Sequence, residues 1–131
     1  MSLRLRNNRS MADVFRPGGI TYVRIPAADG RRAASFYAGV FDWAVDLDRE
    51  DPSFCDAGGH VIGHFVADQA VAGEGGVRPY VYVESVDEAL RRALDGGGEI
   101  ATAPYPEGNL RVAALRDPEG NVVGVWQRAP D

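Results

Sequence analysis

The run Arg116-Asp117-Pro118-Glu119-Gly120-Asn121-Val122-Val123-Gly124-Val125-Trp126-Gln127 carries a complete hairpin signal. Pro118 presets φ and Gly120 tolerates a positive φ, and the polar residues 117–120 separate two apolar runs. The strand that leaves this turn alternates, with Val123 and Val125 on one face and Val122, Gly124 and Trp126 on the other. Branched aliphatics suit a helix-covered side. A glycine beside a large ring reads instead as a cavity wall.

Upstream of the hairpin, residues 79–84 alternate as a strand, and Ser85 with Glu88 forms an S-x-x-E capping box. Val86, Ala89, Leu90, Ala93 and Leu94 then make one helical face, which Gly96-Gly97-Gly98 ends. Strands follow at 99–102, 111–115 and 121–127. The first half has the same grammar: a strand at 20–25 stopped by Pro26, an N-cap at Asp29, and a helix with Ala33, Ala34, Phe36, Tyr37, Val40 and Phe41 at buried spacing. Strands at 43–47, 53–56 and 60–66 complete it, the last two joined through Gly58-Gly59. The pattern predicts an α+β fold in which two βαβββ modules, 18–66 and 78–128, form a cupped mixed sheet. They make one domain, 18–131, joined by a linker at 67–77 and preceded by an Arg-rich tail, 1–17, read as disordered. Two copies of one unit in so short a chain imply a shared sheet surface.

Composition bounds the partners. The 131 residues are 45% hydrophobic with a formal net charge of -5, and the basic tail makes the remainder more acidic still, which argues against a nucleic-acid surface. No apolar run approaches the ~20 residues of a membrane span, and no secretory leader is evident, so a cytoplasmic protein is expected. All 14 basic residues are Arg, which excludes Schiff-base chemistry through lysine. One cysteine, Cys55, permits neither an intrachain disulfide nor a Cys-rich zinc site.

If the aliphatic faces (Val23 and Ile25, Val81 and Val83) meet the helices, the opposite faces point into a concavity. That assigns Tyr22, Arg24, Gly63, Phe65, Arg78, Tyr80, Tyr82, Gly124 and Trp126 to its wall. Rings and guanidinium groups dominate the set. The glycine clusters match neither phosphate-loop nor dinucleotide spacing, and Asp117 and Glu119 read as turn formers.

Ile25-Pro26-Ala27-Ala28-Asp29, Ala34-Ser35-Phe36-Tyr37, Val40-Phe41-Asp42-Trp43, Tyr80-Val81-Tyr82-Val83, Gly97-Gly98 and Asp117-Pro118-Glu119-Gly120-Asn121 together resemble the vicinal oxygen chelate superfamily. This group comprises glyoxalase I, bleomycin-resistance proteins and extradiol dioxygenases, and the likeness spans roughly residues 19 to 127. The resemblance implies paired βαβββ modules, a homodimer and, in metal-using members, four ligands. Those ligands are a His on the first strand, a His opening the fifth, and acids on the fourth and last. This chain has Tyr22, Arg78, Gly63 and Gly124 there, so no metal cofactor is expected. His60 and His64 lie ~13 Å apart along a strand and cannot share one ion.

The expected function is therefore that of a small-molecule binding protein working without a cofactor. Arg24 and Arg78 would hold an anionic or carbonyl group, Tyr80, Tyr82, Phe65 and Trp126 would supply flat apolar contact, and Tyr22 completes the ligand-binding set. The alternative is a metal-dependent lyase, isomerase or dioxygenase of the same superfamily.

Overall fold

The computed structural model describes residues 15–129; the tail expectation falls mostly outside them. The chain divides after Gln69 into two compact units. Each holds one four-stranded mixed sheet and one helix.

In the first unit, β1 (Tyr22–Pro26) leads to α1 (Gly30–Phe41), followed by β2 (Ala44–Asp46), β3 (Ser53–Cys55) and β4 (Ile62–Val66). Asp29 caps α1 in extended conformation, its side chain accepting from the Arg32 amide at 3.1 Å. Asp42 ends it in the left-handed region at φ 61°, a conformation its short polar side chain tolerates. The sheet order is β1-β4-β3-β2, with β1 parallel to β4 and the other pairs antiparallel. The core between helix and sheet is a ring cluster. Trp43 stacks on Tyr37 at 4.9 Å and on Phe54 at 4.7 Å, and Phe65 lies 5.5 Å from Tyr37 and 5.2 Å from Phe54. Such pairs add attraction beyond the burial of their surface.

In the second unit, β5 (Tyr80–Tyr82) precedes α2 (Val86–Asp95), then β6 (Glu99–Glu107), β7 (Leu110–Arg116) and β8 (Val122–Arg128). The order is β5-β8-β7-β6, again with one parallel pair, β5 and β8. Ser85 accepts from the Glu88 amide at 3.1 Å, while the Glu88 carboxylate turns to Arg91 and Arg92. The Gln127 side chain reaches the helix start and accepts from the Val86 amide at 2.7 Å. This core is aliphatic: Val86, Ala89, Leu90, Ala93, Ala113, Leu115, Val123 and Val125 are buried.

The hairpin at 117–120 forms as expected. Asp117 is buried, and its carboxylate accepts from the amides of Glu119 and Asn121 and from the Asn121 side chain, each at 2.9 Å; Gly120 takes φ 102°. One strand exceeds its sequence reading. β6 continues through Pro104 and Pro106 to Glu107, with two register shifts on the way. It lies at the sheet edge, where a proline's missing N–H costs little.

Candidate functional site

The helix-facing side of each sheet is set by direct contacts. In the first unit the Phe65 ring meets Tyr37 of α1, and the Phe54 ring meets Phe65 and Trp43, which follows the helix, so Val23, Ile25, Gly63 and Phe65 share that side. In the second, Gln127 holds the start of α2 and Arg111 pairs with Asp87 at 2.9 Å, so Val81, Val125 and Gln127 lie toward the helix. The residues that alternate with them form the open faces.

The open face of the first unit carries Tyr22, Arg24 and His64. Arg24 is the register partner of His64 across the parallel pair. The Tyr22 hydroxyl lies 3.0 Å from Nδ1 of His64, with the rings edge to face at 5.9 Å, and Nε of Arg24 donates to the same hydroxyl at 3.4 Å. Burial holds the His64 pKa below its ordinary value; the charges of Arg49 and Arg24 push the same way, and Asp51 opposes them. The hydrogen bond to Tyr22 raises the Arg24 pKa, keeping the guanidinium charged. On β3, Ser53 is the register partner of His64 and faces the same side. Its hydroxyl is buried with no hydrogen-bond partner among the described residues.

The open face of the second unit carries the aromatic set. Tyr82 meets Trp126 edge to face at 4.8 Å, and the Arg128 guanidinium lies 5.8 Å above the Tyr82 ring. Tyr80 lies across Gly124, and any Cβ at that glycine would run into the Tyr80 ring. Val112 sits opposite Trp126 and Tyr105 opposite Val112, so Tyr82, Trp126, Val112 and Tyr105 form one row across all four strands. Desolvation first, then Glu107 and Tyr80, raise the Tyr105 pKa against the pull of Arg78, keeping its hydroxyl a donor. Tyr80 and Tyr82 are 47% and 50% exposed.

Of the residues expected to line a binding surface, Tyr22 and Arg24 share one open face, and Tyr80, Tyr82 and Trp126 share the other. Arg78 stands half-buried in the approach to β5, within electrostatic reach of Tyr105. Phe65 is a correction. At 1% exposure it belongs to the ring core against α1. The sequence reading set β4 one residue out of step, and a one-residue slip sends every side chain of a strand to the other face. Tyr22 is beside Ile62, and His64 takes the place given to Phe65. Gly63 serves the core instead: a Cβ there would meet the Phe54 ring at 2.6 Å and collide with the Val23 carbonyl. Two residues of the open faces were missed. Only strand register reveals His64, and Tyr105 was hidden because Pro104 and Pro106 read as the end of a strand.

Metal coordination in the manner of the resembled family needs His or carboxylate donors converging on one point. Beside Tyr22 stands Ile62, beside Tyr80 stands Gly124, and among the described residues no group of three or more His, Cys, Asp or Glu is placed to hold an ion. Within each unit, the described residues at these positions do not supply the donor set of the resembled family. An open depression of about 570 Å³ at the start of α1, lined by Ala28, Asp29, Gly30, Arg31, Asp48, Arg49 and Glu50, involves none of the residues expected at a binding surface.

The strand orders and the two βαβββ units define an α+β protein of the glyoxalase/bleomycin resistance fold. A glyoxalase/bleomycin resistance protein/dioxygenase family enzyme of Burkholderia phytofirmans PsJN matches at TM-score 0.69 and 21% identity, over 82% of this chain and 97% of its own. TnmS3, an antibiotic binding protein of Streptomyces sp. CB03234, matches at TM-score 0.68 and 20% identity, over 88% and 99%. The chain belongs to the glyoxalase-like domain family, whose pattern matches residues 22–126, and so to the vicinal oxygen chelate superfamily. CFP32 of Mycobacterium bovis and Mycobacterium tuberculosis, named as a candidate glyoxylase, is 27% identical over 124 residues, 86% of this chain. The chain spans about half, 47%, of that relative's length.

Proposed function

We propose that this protein binds a planar small molecule without a metal. The carrying observation is the placement of Tyr80, Tyr82, Trp126 and Tyr105 on the helix-free face of the second sheet, above a core that has no ring of its own. Leaving a tyrosine half in water forgoes on the order of 1 kcal/mol of burial. Rings held that way suit a flat apolar partner, and the similarity to TnmS3, which binds an antibiotic, supports the same reading. Arg78, within electrostatic reach of Tyr105, would supply a charged contact on that face; Tyr22 and Arg24 would supply polar contacts on the open face of their own unit. The reading includes a cytoplasmic homodimer, as the family resemblance suggests; native mass spectrometry tests the dimer.

Trp126 gives a direct assay. A Trp43→Phe background leaves Trp126 as the tryptophan reporter, and planar aromatic compounds are titrated against its fluorescence. Saturable quenching that weakens in Tyr82→Ala is expected; no saturation by any compound, or an unchanged dissociation constant in Tyr82→Ala, would count against the proposal.

A second reading, an enzyme of the superfamily, has one specific observation in its favour: the Tyr22 to His64 hydrogen bond is suited to moving a proton. The name of CFP32 points the same way. Elemental analysis separates the two readings, because a stoichiometric metal in the purified protein favours the enzyme.

A further inference from the structure

We infer that Tyr22, Arg24 and His64 form an oxyanion site for a planar carboxylate, and that the site takes up a proton as the anion binds. The inference goes beyond the reading of the second unit's aromatic face and gives the open face of the first unit a ligand group of its own.

The geometry makes the hydroxyl of Tyr22 a switch. Its oxygen already accepts from Nε of Arg24, which leaves the two terminal nitrogens of that exposed guanidinium for a forked contact with a carboxylate. With the proton of neutral His64 on Nε2, Tyr22 donates to Nδ1 and its own proton is engaged within the protein. Once His64 is protonated, Nδ1–H donates to Tyr22. The tyrosine oxygen then has two donors, and its own proton turns to a third partner. A carboxylate oxygen beside Arg24 is the acceptor that this arrangement lacks.

The charges around the cluster give the sign. Tyr22 and Arg24 come from β1, Ser53 from β3, Arg49 and Asp51 from the segment before β3, and Asp68 from the segment after β4. Two arginines face two aspartates, so the imidazole decides the balance. Burial and the arginines lower the His64 pKa in the free protein. A bound anion offsets that repulsion and raises the His64 pKa; by linkage, the anion binds more tightly as pH falls through the His64 range. The buried Ser53 hydroxyl, opposite His64 in register and unpartnered among the described residues, offers a further hydrogen bond on the same face.

The test is an NMR pH titration of the imidazole Cε1–H signals of the full chain with and without benzoate, using benzamide as the uncharged counterpart. His60 is the other histidine and supplies the reference signal. Benzoate is expected to raise the His64 midpoint by about half a unit or more and to bind at least about twofold more tightly at pH 5.5 than at pH 7.5, with no midpoint shift from benzamide. Tyr22→Phe keeps the ring and removes the switch; the pH dependence of its benzoate affinity should shrink to what charge alone supplies, with a smaller His64 midpoint shift than in the unaltered protein. Arg24→Gln should weaken benzoate throughout and leave benzamide unaffected. An unmoved His64 midpoint in saturating benzoate, or the same midpoint shift in Tyr22→Phe, overturns the inference. If Trp126 quenching by planar aromatics persists in that case, the ligand-binding reading stands and only the anion site is lost; if quenching is absent too, both fail.

Discussion

The two units place their aromatic residues on opposite sides of the same supersecondary pattern. In the first, Phe36, Tyr37, Phe41, Trp43, Phe54 and Phe65 fill the space between helix and sheet, and the open face carries a tyrosine, an arginine and a histidine joined by hydrogen bonds. In the second, the core is built from valine, leucine and alanine, and all four rings stand outside it. A βαβββ unit requires one apolar sheet face and one helix stripe, and either aliphatic or aromatic side chains satisfy that. Which face receives the rings is therefore free to differ, and the difference separates a unit whose rings hold the fold from one whose rings are available to a partner.

The sharpest challenge to this contrast is Phe65→Ala. Removing a ring from the closed core should lower the unfolding free energy by about 3–5 kcal/mol in urea denaturation. The folded fraction should bind any ligand found through Trp126 with unchanged affinity. A variant with wild-type stability and lost binding would return Phe65 to the open face and break the comparison.

The two strand glycines give the next test. A methyl at Gly63 meets the Val23 carbonyl, which is backbone and cannot step aside, so Gly63→Ala should cost about 3 kcal/mol. A methyl at Gly124 meets the Tyr80 ring, a half-exposed side chain that can swing away, so Gly124→Ala should cost only about 1 kcal/mol while altering ligand affinity. Equal stability losses from the two would mean that the faces are equally closed.

Trp126→Ala should shift stability by less than about 1.5 kcal/mol yet weaken a planar ligand at least tenfold, which is about 1.4 kcal/mol of binding and is measurable by calorimetry. The smallest effect is expected at the start of α2, where Ser85→Ala removes one cap and should cost about 1 kcal/mol, with binding unchanged. A larger loss of binding from Ser85→Ala than from Trp126→Ala would place the functional surface on the helix side.

Much of this was legible in the order of residues because the signals are local. Asp29 and Ser85 are short polar acceptors ahead of apolar stripes, and the turn at Asp117 satisfies its own amides within five positions, so helices, hairpin and the repeated α+β pattern could be read along the chain. The open-face placement of Tyr22, Arg24, Tyr80, Tyr82 and Trp126 followed from alternation alone. Where alternation needs an absolute register, residue order did not suffice. A strand shifted by one position has the same composition, so nothing in Ile62-Gly63-His64-Phe65 said which pair faces the helix. That was decided by the rings of Tyr37 and Phe54, which close on Phe65 from elements distant in sequence and leave His64 against Tyr22. Tyr105 joined the second face only because β6 falls at a sheet edge, where a proline interrupts no hydrogen bond.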